Sequence, residues 1–184
     1  MVLTDADIKR AIQNGTIDIK GYDPTRLGTN SYDLTLGDEL LVYTEEELDC
    51  KKDNPHRYFK IPDEGFVLQP GELYLGFTKE STHSSCSVPL VEGKSSIGRL
   101  GMSVHVTAGV GDVGFRGHWT LEITVAKPLR VYHSMPVAQV LFFLTMSKPH
   151  QLYSLKAGAK YNNQEARPKP SAMWRNFLPK TEPV

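Results

Sequence analysis

The sequence predicts an all-β protein, a sandwich or barrel entered through one short N-terminal helix. Three observations predict it. Beyond Gly15 the apolar residues alternate with polar ones in short runs. Gly, Pro, Asn or Asp interrupt those runs at frequent intervals, and the helical stretches that βαβ units need between strands are missing. A chain of 184 residues can bury one core without disulfides or metals, and a second domain would be cramped. The expected organisation is one β domain over residues 1–165 and an extended C-terminal tail over 166–184.

The helix comes first. Thr4 is the expected N-cap, Asp5 and Asp7 suit the positive end of the helix dipole, and Ile8, Ala11 and Ile12 form an apolar stripe before Gly15 stops it. Strands are then predicted over Ser31–Leu36, Glu39–Tyr43, Glu72–Thr78, Met102–Thr107, His118–Val125 and Val137–Thr145. Turns are expected at Gly37-Asp38, Pro62-Asp63-Glu64-Gly65 and Pro70-Gly71. The segment Thr44–Pro62, of mixed charge around Cys50, reads as a surface excursion. From Ala166 on, Pro168, Pro170 and Pro179 stand among Lys, Arg and Glu; proline donates no ladder hydrogen bond, so an extended tail is expected, free or wrapped on a neighbour.

Composition removes several function classes. Lys plus Arg and Asp plus Glu each number 21, so there is no global basic field for a nucleic-acid polymer, and phosphate recognition must be local. Cys50 and Cys86 belong to no metal-binding or disulfide pattern and are read as reduced thiols. No apolar run approaches the roughly 20 residues that span a bilayer. The first seven residues lack the basic and apolar regions of a signal peptide, so a cytoplasmic protein is expected.

The chemistry concentrates between Gly93 and Val125. Gly93-Lys94-Ser95-Ser96-Ile97-Gly98-Arg99-Leu100-Gly101 brings two cations and two hydroxyls to one turn, with Ser95 and Arg99 on one face. Such a turn suits a phosphate group, and a capped turn with solvated basic residues is the plainer alternative. The spacing is not that of a Walker loop. Two strands follow whose polar faces carry Ser103, His105 and Thr107, and Thr120, Glu122 and Thr124. A glutamate on a polar strand face is usually only solvated, so the pattern alone does not make Glu122 catalytic. Between them, Ala108–Gly117 holds four glycines, which let backbone approach a ligand closely and read a base through its own N–H and C=O groups. Phe115 is read there as a core anchor, with a ring stacked on a sugar as the alternative.

Taken together, Gly93–Gly101, Val104-His105-Val106-Thr107-Ala108 and Gly114-Phe115-Arg116-Gly117-His118-Trp119-Thr120-Leu121-Glu122 closely resemble the dCTP deaminase family of the dUTPase-like superfamily. Asn30–Gly37 looks like its N-terminal motif, Met135–Val140 like its penultimate strand and Ala159–Gln164 like its C-terminal motif, so the resemblance covers most of the chain from Asn30 to Gln164. It implies a distorted β-barrel or jelly-roll-like fold of dUTPase type. It also implies a homotrimer with intersubunit active sites, and hydrolytic deamination of dCTP without a catalytic metal. Mg²⁺ would be bound only through the triphosphate, and dTTP is a candidate feedback inhibitor. The signature of zinc deaminases is absent from the sequence.

By the same resemblance Glu122 would be the general acid/base, Ser95 and the carbonyl of Ala108 would hold the water and leaving ammonia, and Arg99 would stabilise charge. Lys94, Ser96, Thr107, Asp112, Gln139, Tyr153, Lys160 and Gln164 would bind the nucleotide and its phosphates. Two positions depart from the pattern. Lys94 stands where arginine is common, replacing a planar fork by a point charge. Gly109 replaces a bulky residue, which is similar to the bifunctional dCTP deaminase-dUTPases, in which an aspartate at the position of Asp112 activates water against the α-phosphate. Deamination to dUTP is the first reading and the bifunctional enzyme, giving dUMP and diphosphate, the alternative. A plain dUTPase fits less well, because its glycine-rich C-terminal arm is not seen while Glu122 and Ala159–Gln164 favour a deaminase, and so does a non-catalytic nucleotide-binding regulator, because Ser95, Arg99 and Glu122 are all present.

Overall fold

The computed structural model describes residues 1–179. Helix α1 (Asp5–Gln13) starts where its cap was expected: the Asp7 carboxylate accepts the Thr4 backbone N–H at 3.0 Å and the Thr4 hydroxyl at 2.8 Å. Ile8 and Ala11 are buried on one face of the helix.

Eleven strands follow among the described residues: β1 (Ile17–Lys20), β2 (Tyr32–Thr35), β3 (Glu39–Tyr43), β4 (His56–Lys60), β5 (Phe66–Leu68), β6 (Tyr74–Ser84), β7 (Ser87–Gly93), β8 (Met102–Ser103), β9 (Arg116–Val125), β10 (Leu129–Val131) and β11 (Pro136–Leu144). They form a six-stranded sheet in the order β4-β3-β6-β9-β8 with β1 also on β6, a three-stranded sheet β2-β11-β7, and the pair β10-β5. The fold is mainly β, as expected; the ladders among the described residues do not close into a barrel.

The differences from the predicted strands have local causes. The strand expected over Met102–Thr107 is ladder only at Met102 and Ser103. Beyond them the Val104 carbonyl still accepts the Glu122 N–H, but the Val106 N–H turns to the Glu122 carboxylate, and pairing ends. Strand β6 runs well past Thr78 because its second half buries Glu80, Thr82 and Ser84, polar residues that hide the alternation. Strand β7 carries Pro89, which discourages a strand reading. The excursion Thr44–Pro62 contributes an edge strand, β4, paired residue for residue with β3.

One face of the six-stranded sheet packs with α1 and the three-stranded sheet around Ile8, Tyr32, Leu34, Leu40, Leu121, Ile123 and Phe142. A buried carboxylate ties the two sheets together. Glu80, 2% exposed, accepts the Thr35 N–H and hydroxyl, each at 2.8 Å, and is ion-paired with Arg26. It reaches inward because β6 and β9 slip register between Phe77 and Ser81, where the Thr78 hydroxyl donates to the Glu80 carbonyl and accepts the Trp119 N–H. Removing one partner from a buried ion pair strands the other charge, at a cost of about 3–5 kcal/mol. Arg26→Ala should fall near the lower end, about 3 kcal/mol, since Arg26 is itself 30% exposed. The shift in urea midpoint at constant slope measures it.

Candidate active site

The other face of the six-stranded sheet is the floor of a cavity of about 480 Å³. Cross-strand pairing sets Tyr58, Leu41, Leu75 and Glu122 in one row across β4, β3, β6 and β9. Tyr43, two residues beyond Leu41, shares that face, and Tyr43, Leu75, Thr120 and Glu122 all line the cavity. Burial pushes the Tyr43 phenol up, with the Glu122 charge adding to the effect, while the donated Ser171 N–H opposes it.

Glu122 is pinned at this wall. Its own N–H donates to the Val104 carbonyl at 2.9 Å, and its Oε2 accepts the Val106 N–H at 2.8 Å. Ala108, Val110, Gly111 and Asp112 form the next wall. They are held because Gly109 and Gly111 hydrogen-bond to β7: the Val91 N–H donates to the Gly109 carbonyl at 2.7 Å, and the Gly111 N–H to the Pro89 carbonyl at 2.8 Å. Alternate pairing of this kind turns the N–H and C=O of Val110 away from β7, and among the described residues neither has a partner. A free strand edge of this sort can read a pyrimidine base. The docking depends on glycine, since a Cβ at position 109 would lie 2.6 Å from the Val91 carbonyl oxygen.

Phe115 is both anchor and wall: it is buried, packs on Trp119 with ring centroids 4.4 Å apart, and lines the cavity with Tyr153. The C-terminal motif crosses β9 at Gly117, where a Cβ would meet the Gln164 backbone nitrogen at 2.5 Å. There the His118 N–H donates to the Gln164 carbonyl at 3.0 Å, and the Gln164 amide donates to the Thr120 hydroxyl at 2.6 Å. Gln164 is therefore 5% exposed, engaged with its own sheet at the edge of the cavity that it lines. The Tyr153 hydroxyl accepts the Tyr161 N–H at 3.1 Å.

The remaining sequence-predicted residues lie off this cavity. Lys94 is ion-paired with Asp33, and Gln139 accepts the Ser31 hydroxyl at 3.0 Å within the three-stranded sheet. Ser95 and Ser96 are exposed on the single turn α2 (Ser95–Gly98), and Arg99, whose N–H donates to the Ser95 carbonyl at 3.1 Å, is exposed beside them. Thr107 and Lys160 do not line the cavity either. Ala108, Asp112, Glu122, Tyr153 and Gln164 are thus brought together, and Lys94, Ser95, Ser96, Arg99 and Gln139 form a separate group. Sequence reasoning missed Tyr43, Thr120 and Tyr161, the loop around Leu48–Asn54, and residues 169–171 with Met173. The period-two face of β3 marked Tyr43; nothing in the sequence marked the tail.

Residues 2–145 match the family model described as dCTP deaminase-like. The chain belongs to the dCTP deaminase-like family. It is 48% identical over 177 residues to a "dCTP deaminase, dUMP-forming" of Leptospira biflexa, covering 96% of this chain and 98% of that one. It is 43% identical to a protein of the same name from Clostridium beijerinckii, covering 96% and 99%. The fold is similar to the crystal structure of the 2'-deoxycytidine 5'-triphosphate deaminase of Agrobacterium tumefaciens, with a TM-score of 0.62 at 20% identity over 78% of this chain and 48% of that chain. Among the described residues of this dCTP deaminase-like chain, no helix is long and apolar enough to cross a membrane. No group of three or more His, Cys, Asp or Glu side chains there is placed to hold a metal ion.

Gly109→Ala tests the loop docking. The backbone at Val91 cannot yield as a flexible side chain would, so the Ala108–Asp112 wall should detach from β7. Nucleotide affinity is expected to fall at least about tenfold, the equivalent of one lost hydrogen bond of about 1.4 kcal/mol; calorimetric titration reads it.

Proposed function

We propose that this chain converts dCTP to dUMP, diphosphate and ammonia, deaminating the base and then cleaving the triphosphate. The observation that carries this is the presence of Glu122 and Asp112 on adjoining walls of one cavity, joined by the free backbone edge at Val110. Near full-length relatives named dUMP-forming support it, and they favour dUMP over the dUTP end product that was the first reading of the sequence.

The first half-reaction needs a base beside C4 of cytosine. Glu122 takes a proton from water as its oxygen bonds to C4 and passes it to N3, then takes the proton of the resulting C4 hydroxyl and delivers it to the exocyclic nitrogen as C4=O forms, the C4–N bond breaks and ammonia leaves. The Val106 N–H on Oε2 fixes the carboxylate, and the Ala108 carbonyl, which accepts no hydrogen bond among the described residues, is free to hold water or ammonia. In the second half-reaction Asp112 takes a proton from a second water, whose oxygen bonds to the α-phosphorus while the bond to the β-phosphate bridging oxygen breaks. Tyr153, which lines the cavity, then lies on the phosphate side.

Ser95, Ser96 and Arg99 are exposed, make no side-chain hydrogen bond or ion pair among the described residues and do not line their own chain's cavity, which supports a homotrimer in which each copy lends this group to a neighbour's cavity. Mg²⁺ fits as a companion of the substrate, since the triphosphate carries its own oxygen ligands. Bound there, it would neutralise phosphate charge. The same base-reading edge makes dTTP a candidate inhibitor, and the reaction is one of the cytoplasmic nucleotide pool.

Separating the products of purified protein with dCTP and Mg²⁺ by chromatography decides the reading: dUMP and diphosphate are expected, and dUTP as sole product would return the first one. Glu122→Gln should lower kcat by about 10³-fold, within the range for a lost general base, with nucleotide binding retained. Asp112→Asn should release ammonia normally and accumulate dUTP; undiminished dUMP formation by that variant would remove Asp112 from the second step.

A further inference from the structure

Residues 166–173 run along the outer face of the six-stranded sheet and supply the fourth side of the cavity. The Arg167 Nε donates to the Glu39 carboxylate at 2.9 Å, and its guanidinium lies 3.7 Å from the centre of the Tyr58 ring. The Lys169 N–H donates to the Thr120 hydroxyl at 3.0 Å, the Ser171 N–H to the Tyr43 hydroxyl at 2.9 Å, and the Ala172 N–H to the Tyr161 hydroxyl at 2.9 Å. Lys169, Pro170, Ser171 and Met173 line the cavity; Arg167 does not.

The spacing explains the fit. Arg167 sits on Glu39 and Ser171 on Tyr43, so the segment keeps step with β3 and runs in the same direction. A polyproline-type chain advances about 3.1 Å per residue and a strand about 3.3 Å, which lets the two stay in register over four residues. Pro168 and Pro170 hold the segment in that extended form and remove N–H groups that would otherwise lack partners there. The anchor side chains come from β3 and from β4, the strand inside the Thr44–Pro62 excursion.

We infer that Arg167 is a positioning residue for the reaction: through Glu39 and Tyr58 it fixes the 169–173 wall over the cavity, with Tyr58 contributed by the Thr44–Pro62 excursion. Arg167 does not touch the nucleotide. It sets the fraction of molecules whose cavity is walled before substrate arrives, so its loss appears as weaker binding with the chemical step preserved. This role rests on the deaminase reading, but the wall itself can be observed without turnover.

Amide hydrogen exchange and steady-state kinetics together provide the test. The ion pair and the cation–π contact, whose shared Arg167 side chain is about half exposed, together correspond to roughly a fivefold bias. In Arg167→Ala and in Tyr58→Ala the Ser171 and Ala172 amides should exchange about fivefold faster, while amides of β6 and β9 keep the parent rate. KM for dCTP should rise by about the same factor with kcat within about twofold. Tyr58→Phe, which keeps the ring and loses a hydroxyl that has no partner among the described residues, should restore both values. Unchanged Ser171 exchange, or an unchanged KM in Arg167→Ala, overturns the inference. If an alanine variant does not fold, Glu39→Gln carries the same test through the ion pair alone. A parent protein that shows the exchange pattern but no turnover of dCTP would refute the deaminase reading and leave the strap in place.

Discussion

The contact on which the rest depends is the Glu80 carboxylate, buried between β6 and the end of β2 with Arg26 and Thr35. An unpaired carboxylate in that position would be intolerable, so the three groups have to meet, and their meeting fixes the six-stranded sheet against the three-stranded one. Everything at the cavity inherits that registration. Glu122 belongs to the first sheet, whereas the Ala108–Asp112 wall hangs on β7 in the second. A slip between sheets would move the two carboxylates relative to each other.

The cavity is built from backbone as much as from side chains. Val106 N–H, Ala108 C=O and the Val110 edge are main-chain groups, aimed by hydrogen bonds their neighbours make with β7 and β9. That economy fits a chain with no net charge. Several cations are spent locally, on Asp33 by Lys94, on Glu80 by Arg26 and on Glu39 by Arg167, while Arg99 makes no ion pair among the described residues.

Much of this was legible in the sequence, for reasons that differ by residue. Strand β3 was read correctly at both ends because Leu40 and Val42 alternate with residues of the other face and glycine and aspartate precede them. The helix start was legible because its capping partners are local. The glycines of Ala108–Gly117 signalled a close backbone approach, which the sequence assigns to a ligand and which at Gly109 is made to Val91 of β7. What escaped was determined at long range. The second half of β6 is polar yet buried, since its partners are Thr35, Arg26 and β9, far away in sequence. The use of Gln164 on Thr120 depends on where the chain crosses Gly117, and the course of residues 166–173 depends on tyrosines in β3 and beyond β11. A proline-rich, charged segment carries no periodicity from which such contacts could be read.

The crossing at Gly117 also separates two events in the life of the chain. Every strand of the three sheets is complete by Leu144, while the residues that cross β9 and wall the cavity lie well after it, from Tyr153 to Met173. A chain emerging from the ribosome can therefore assemble its ladders and bury Glu80 while the pocket is still unwalled. The ladders and the pocket thus draw on different parts of the chain, residues up to Leu144 for the first and much of Tyr153 to Met173 for the closing side of the second.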